Sequence, residues 1–140
     1  MTFDKDFLRS NDLGLLLLRL TVGGLMLFHG VHKVLYGVSG IEGMLAGMGL
    51  PGFIAYFSVA AELIASILIV IGAWTRVAAV VMMGNMAVAI LMAHLPVLFT
   101  VDANTGGWAV ELPMLYLLGA AVLCLTSGGK FAVTKGHITD

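Results

Sequence analysis

Four apolar stretches, each close to the length that crosses a bilayer, alternate along the chain with short polar or glycine-rich segments. They run over residues 12–36, 52–72, 75–95 and 109–127. A hydrocarbon core about 30 Å thick takes about 20 helical residues to cross. The pattern therefore predicts an all-α integral membrane protein, a four-transmembrane-helix antiparallel bundle forming a single membrane domain over residues 1–140. The fourth stretch is the shortest, because Pro113 belongs in the first turn of a helix, where its missing N–H is harmless.

The segments between the stretches carry their own signals. Residues 37–52 hold six glycines, yet Ile41, Met44, Leu45 and Met48 recur at i, i+3, i+4 and i+7. That spacing fits a short interfacial helix lying on the outer face, and the glycines fit a flexible loop equally well. Gly72 reads as the C-cap of the second helix and Thr75 as the N-cap of the third, so the two must be antiparallel neighbours. Pro96 ends the third helix, and Asp102, Asn104, Gly106 and Gly107 make the second outer loop polar and turn-rich. Gly128 to Asp140 reads as a small cytoplasmic extension.

Composition agrees with the pattern. Of 140 residues, 60% are hydrophobic and 11% charged, against roughly 25% charged in soluble domains. Lipid is thus the first partner. A net charge of −1 without a basic cluster excludes a nucleic-acid footprint. Cys124 is the sole cysteine, so the chain forms no internal disulfide and thiol exchange would need a partner. Lys5 and Arg9 precede the first apolar run as in a secretory signal, but Asp4 and Asp6 dilute them, the run is too long, and no Ala-x-Ala site follows. The run reads as a retained helix. Lys5, Arg9, Arg76, Lys130 and Lys135 fall on one side of a four-pass topology and Lys33 alone on the other, which makes both termini cytoplasmic.

Against this background Arg19 and Glu62 stand out. Each lies inside an apolar run, where a charge costs about 3 kcal/mol or more unless something answers it. At 1.5 Å per residue Arg19 lies ~11 Å above the cytoplasmic boundary and Glu62 ~15 Å below the outer one, so the two can meet. Asn85 comes to the same level, and Ser58 and Ser66 flank Glu62 at i−4 and i+4, giving a polar support around the carboxylate. The pair reads either as a structural lock on helix register or as a catalytic relay.

A second polar level lies near the outer surface. His29 and His94 reach ~26 and ~28 Å above the cytoplasmic boundary, with Lys33 above His29 and with Trp108 and Glu111 at the head of the fourth helix. Lys33 and His29 share a face with Arg19, whereas His32 points away. By itself Lys33 would snorkel to the headgroups, and Trp108 would join the aromatic belt. Asn85 and His94 fall on opposite faces of an ideal helix and can line one pocket only if the helix distorts before Pro96. His29, His94 and Glu111 form a conceivable zinc set, but with no short ligand motif no metal is assigned. The nine methionines read as gap-filling residues, and no flavin or haem motif is present.

Leu18-Arg19-Leu20-Thr21-Val22-Gly23-Gly24, followed by Phe28-His29-Gly30-Val31-His32-Lys33, resembles the opening of the DoxX family of small bacterial membrane proteins. Ala61-Glu62-Leu63, Gly72-Ala73-Trp74-Thr75-Arg76 and Glu111-Leu112-Pro113 resemble its later landmarks, so that the likeness spans residues 12–131. The resemblance implies a four-helix protein of the bacterial inner membrane associated with redox processes, some relatives being membrane subunits of quinone-linked oxidoreductases.

Two functions follow as expectations. The first is a quinone-interacting redox protein or subunit, with His29 and His94 as donors or proton carriers, Trp108 as a wall, Lys33 and Glu111 tuning or relaying protons, and Glu62 with Arg19 as a deeper relay. Electrons would then pass to a redox partner protein or to the substrate. The second is a non-redox membrane anchor or a small-solute or proton pathway, which in a chain of four helices favours a homo-oligomer.

Overall fold

The computed structural model describes residues 10–140. Asp4, Lys5, Asp6 and Arg9, on which the reading of the first basic segment rests, lie outside the described residues. Five α-helices follow in order: α1 (Asn11–Tyr36), α2 (Ser39–Gly47), α3 (Ile54–Ile71), α4 (Thr75–Ala89) and α5 (Glu111–Thr126). No strand forms among the described residues beyond an isolated bridge between Val101 and Trp108. Three helical segments, Asn11–Tyr36, Ile54–Ile71 and Thr75–Val97, are long and apolar enough to cross a membrane, while α5 is apolar but shorter. The protein is multi-pass.

Local chemistry sets the helix ends. Ser10 caps α1 by accepting from the Leu13 N–H at 3.2 Å, and Gly37 at φ +87° ends it. Gly72 at φ +77° closes α3 in the left-handed conformation, with the N–H groups of Gly72 and Ala73 both donating to Leu68 C=O. The cap of α4 departs from expectation. Trp74, also left-handed, occupies the N-cap without a side-chain bond, and Thr75 is the first helical residue.

The helices α1, α3, α4 and α5 pack in a ring: α1 on α3, α3 on α4, α4 on α5, with a sparser seam between α5 and α1. Their shared core is Val22, Met26, Ala65, Ile69, Ala78, Ala79, Met82, Met86, Tyr116, Ala120 and Leu123. Small residues allow close approach. A Cβ on Gly23 would lie 2.8 Å from the Ser66 carbonyl oxygen. Large apolar side chains such as Phe28, Phe57 and Leu125 point outward, as a lipid solvent requires.

The segment after Gly37 does form a helix. Leu45 of α2 is buried with Val38, Ala55 and Val59, so this helix covers one end of the α3 face. At the opposite end residues 128–140 fold under the bundle. Val133 and Thr134 donate to the carbonyls of Ile71 and Gly72, and Lys130 N–H to Asp12 Oδ1 at 2.9 Å.

A cavity among the first, third, fourth and fifth helices

The two buried charges do not meet. Glu62 pairs instead with Lys33, Nζ lying 2.6 Å from Oε2, and this is the only ion pair among the described residues. Both Arg19 and Glu62 are 1% exposed, whereas the Lys33 side chain is 30% exposed. The expected Arg19–Glu62 pair fails because both long side chains turn elsewhere. Lys33 folds inward along α1 rather than snorkelling out, and Arg19 turns toward the end of α3. There its guanidinium donates to Val70 C=O at 3.4 Å and to Phe131 C=O at 3.1 Å. A cation at the C-terminal carbonyls of a helix is held by the helix dipole as well as by hydrogen bonds.

Polar support around Glu62 is partly as expected. Asn85 Nδ2 reaches Oε2 at the long limit of 3.5 Å, and Ser58 Oγ donates to Asn85 Oδ1 at 2.7 Å. Ser66, by contrast, donates to the backbone carbonyl of Glu62 at 2.6 Å and does not touch the carboxylate. Glu62 Oε1 is buried and has no hydrogen-bond partner among the described residues.

Beside this pair lies a cavity of about 200 Å³ lined by polar His29, Lys33, Glu62, His94 and Tyr116 and by apolar Met26, Met86, Ala89, Leu112 and Pro113. His29 meets Tyr116 edge-on, ring centroids 5.8 Å apart at 84°. His94 lines the cavity from a distorted stretch of helix, whereas Asn85, expected to share a pocket with it only if the helix distorts, does not line it. The last turns of the α4 segment, Ile90–His94, are wound as a π-helix and are followed by a 3-10 turn at Leu95–Val97. His94 Nδ1 lies 3.3 Å from the Ala89 carbonyl, five residues back. One wider turn re-aims every later side chain, and this one swings His94 toward the cavity while Asn85 keeps facing Glu62.

Trp108 and Glu111 are not among the cavity's lining residues. The Trp108 indole donates to Leu98 C=O at 2.6 Å, fixing the loop before α5, and Leu112 and Pro113 form the wall expected of Trp108. His29, His94 and Glu111 do not assemble as a three-ligand cluster among the described residues. His32 stacks on Tyr36 at 4.7 Å, outside the cavity.

Tyr116 is the site residue that sequence reasoning missed. A signal existed, since Tyr116, Ala120 and Leu123 recur at i, i+4 and i+7 and mark the buried face of α5. Tyr116 and Leu112 also line a second, almost wholly apolar groove of about 390 Å³ between α1 and α5, with Leu18, Leu25, Leu115 and Val122. A polar chamber and an apolar groove therefore share two walls.

The DoxX family profile matches residues 14–95, more than half of the chain. The chain belongs to the DoxX family. It is also 33% identical over 123 residues to "Putative oxidoreductase CatD" of Bacillus subtilis (strain 168), an alignment covering 88% of this chain and 85% of that protein. No solved structure matches it. The family match takes in Arg19, His29, Lys33, Glu62, Asn85 and His94 of this DoxX protein, whereas Tyr116 lies beyond it.

Proposed function

We propose that this DoxX protein is a quinone-interacting redox protein, or the membrane subunit of a quinone-linked oxidoreductase, in a bacterial inner membrane. The observation that carries the reading is the pairing of a polar cavity with an apolar groove through the shared walls Tyr116 and Leu112. A ring with polar substituents joined to a long apolar chain is the ligand shape that such a pair accepts. At about 200 Å³ the chamber suits a single ring, being smaller than the roughly 300–1,000 Å³ of drug-sized sites. The description of the Bacillus subtilis relative as an oxidoreductase supports the same class.

A bound quinone would supply two-electron, two-proton chemistry. The chain supplies orientation and protons. His29, His94, Lys33 and Tyr116 offer donors to ring oxygens, and the Lys33–Glu62 pair can hold or pass a proton beside them. Arg19, tied to backbone carbonyls at the far end of α1, takes no part. Electrons would pass to or from a redox partner protein. In this reading α5 completes a four-span bundle, and Arg76, Lys130 and Lys135 mark the cytoplasmic side, where both termini lie.

The test is retention of quinone. The protein purified in mild detergent should carry a stoichiometric quinone, detectable by native mass spectrometry with lipid extraction and lost in His29→Ala. Absence of quinone, even after its addition in lipid nanodiscs, would move the assignment to a membrane anchor or a solute or proton pathway.

A further inference from the structure

The acceptor and donor groups around the cavity are unevenly used. Glu62 is 1% exposed, and its Oε2 takes both the Lys33 ammonium and the Asn85 amide. Oε1 takes nothing from the described residues. A buried acceptor left without a donor is costly, and Glu62 lines the cavity that a ligand would enter. A ligand hydroxyl answers that need. A ligand carbonyl does not, because it brings a second acceptor against a carboxylate.

From this we infer that the cavity prefers a dihydroxy ring to the corresponding quinone, with Glu62 accepting a hydrogen bond from one ring hydroxyl. The inference rests on the quinone reading above and adds the redox state that the site favours. Lys33 sets the polarity. It occupies Oε2 as a donor and leaves the carboxylate an acceptor toward the cavity. In Glu62→Gln the amide oxygen must serve Lys33, which turns the amide N–H groups toward the ligand and converts the wall from acceptor to donor.

The experiment compares three ligands with one alkyl-chain length: a benzoquinone, its hydroquinone kept reduced without oxygen, and the dimethyl ether of that hydroquinone. Binding to the protein in nanodiscs is measured by co-sedimentation, with empty nanodiscs as the blank. The hydroquinone should bind about tenfold more tightly than either other ligand, as one answered buried acceptor implies. In Glu62→Gln the order should vanish or invert. Equal or tighter binding of the quinone to the unaltered protein overturns the inference and leaves the quinone reading standing, while binding of none of the three overturns both. If Glu62→Gln does not accumulate, the three-ligand comparison on the unaltered protein decides alone. A variant that accumulates and keeps the hydroquinone preference removes Glu62 as its source.

Discussion

Arg19 and Glu62 are equally buried and equally charged, yet their surroundings differ in kind. Arg19 is enclosed by other parts of the chain, although its Nε, like Glu62 Oε1, has no hydrogen-bond partner among the described residues. Its guanidinium lies on the carbonyls of Val70 and Phe131, and Gly72 lacks a side chain where one would press on it. Glu62 lines a chamber, with one oxygen taken by donors and the other buried without a partner among the described residues. The comparison teaches that burial of a charge says little about its use. A charge enclosed by backbone and glycine holds segments together, whereas a charge that lines a cavity is the candidate to meet a ligand.

The comparison can be broken hardest at Gly72. A valine there would combine a left-handed backbone at φ +77° with a side chain in the space of Arg19 Nη1. The expected cost is about 3 kcal/mol or more, from strain and overpacking together. Gly72→Val should therefore be nearly absent from the membrane fraction by immunoblot, and near-normal abundance would show that the Arg19 end is looser than its packing indicates.

A smaller effect is expected at the other end. Lys33→Met removes the main donor to a buried carboxylate, and the half-open position of Lys33 reduces the loss to about 2 kcal/mol. Glu62→Gln leaves a neutral amide and a lysine able to reach water, and should cost under about 1 kcal/mol. The double variant should be more stable than Lys33→Met alone, a non-additivity that denaturant titration in detergent micelles would measure. Simple additivity would mean that the ion pair carries no coupling.

The smallest effect concerns the segment beneath Arg19. Desolvation alone would raise the Asp140 carboxyl, but hydrogen bonds from Thr134, the His137 N–H and Thr139, with the charge of His137, outweigh it and hold the group below its ordinary value. A carboxyl depressed in the folded state contributes its full stabilisation above about pH 4 and loses it as the pH falls through the depressed value. Amide exchange at Val133 and Thr134, corrected for intrinsic rates, should quicken as the pH is lowered from 5 to 2. Flat protection over that range would remove Asp140 as a fastener of this segment.

Much of this architecture is legible from periodicity. The three long apolar helices and the tight turn at Gly72 follow from apolar length and glycine placement, while the spacing within residues 37–52 fits a helix and a loop equally and the structure forms the helix. The opposite facing of Asn85 and His94 required a distortion before Pro96 only if both were to line one pocket; a π turn lies there, yet Asn85 does not line the cavity that His94 lines. The partners of the charges were not legible. Axial rise gives depth, but Lys33 and Arg19 are long enough to cover a full turn in either direction, and their choice depends on helix rotation and on Phe131, which lies 112 residues from Arg19. Tyr116 escaped notice because one hydroxyl in an apolar helix leaves little trace in a hydropathy pattern. Trp108 was placed by depth alone, and its bond to Leu98 drew it to the loop instead.

The contact between Arg19 and Phe131 also bears on how the protein is made. A ribosome delivers the first helix to the membrane long before it has synthesised the carbonyl that this guanidinium will use. During that interval the guanidinium lacks this partner, and the contact that ties α1 to the segment after α5 can close only once Phe131 has been made. Closure of this one contact is thereby timed by a residue beyond α5, for which a buried charge of α1 must wait.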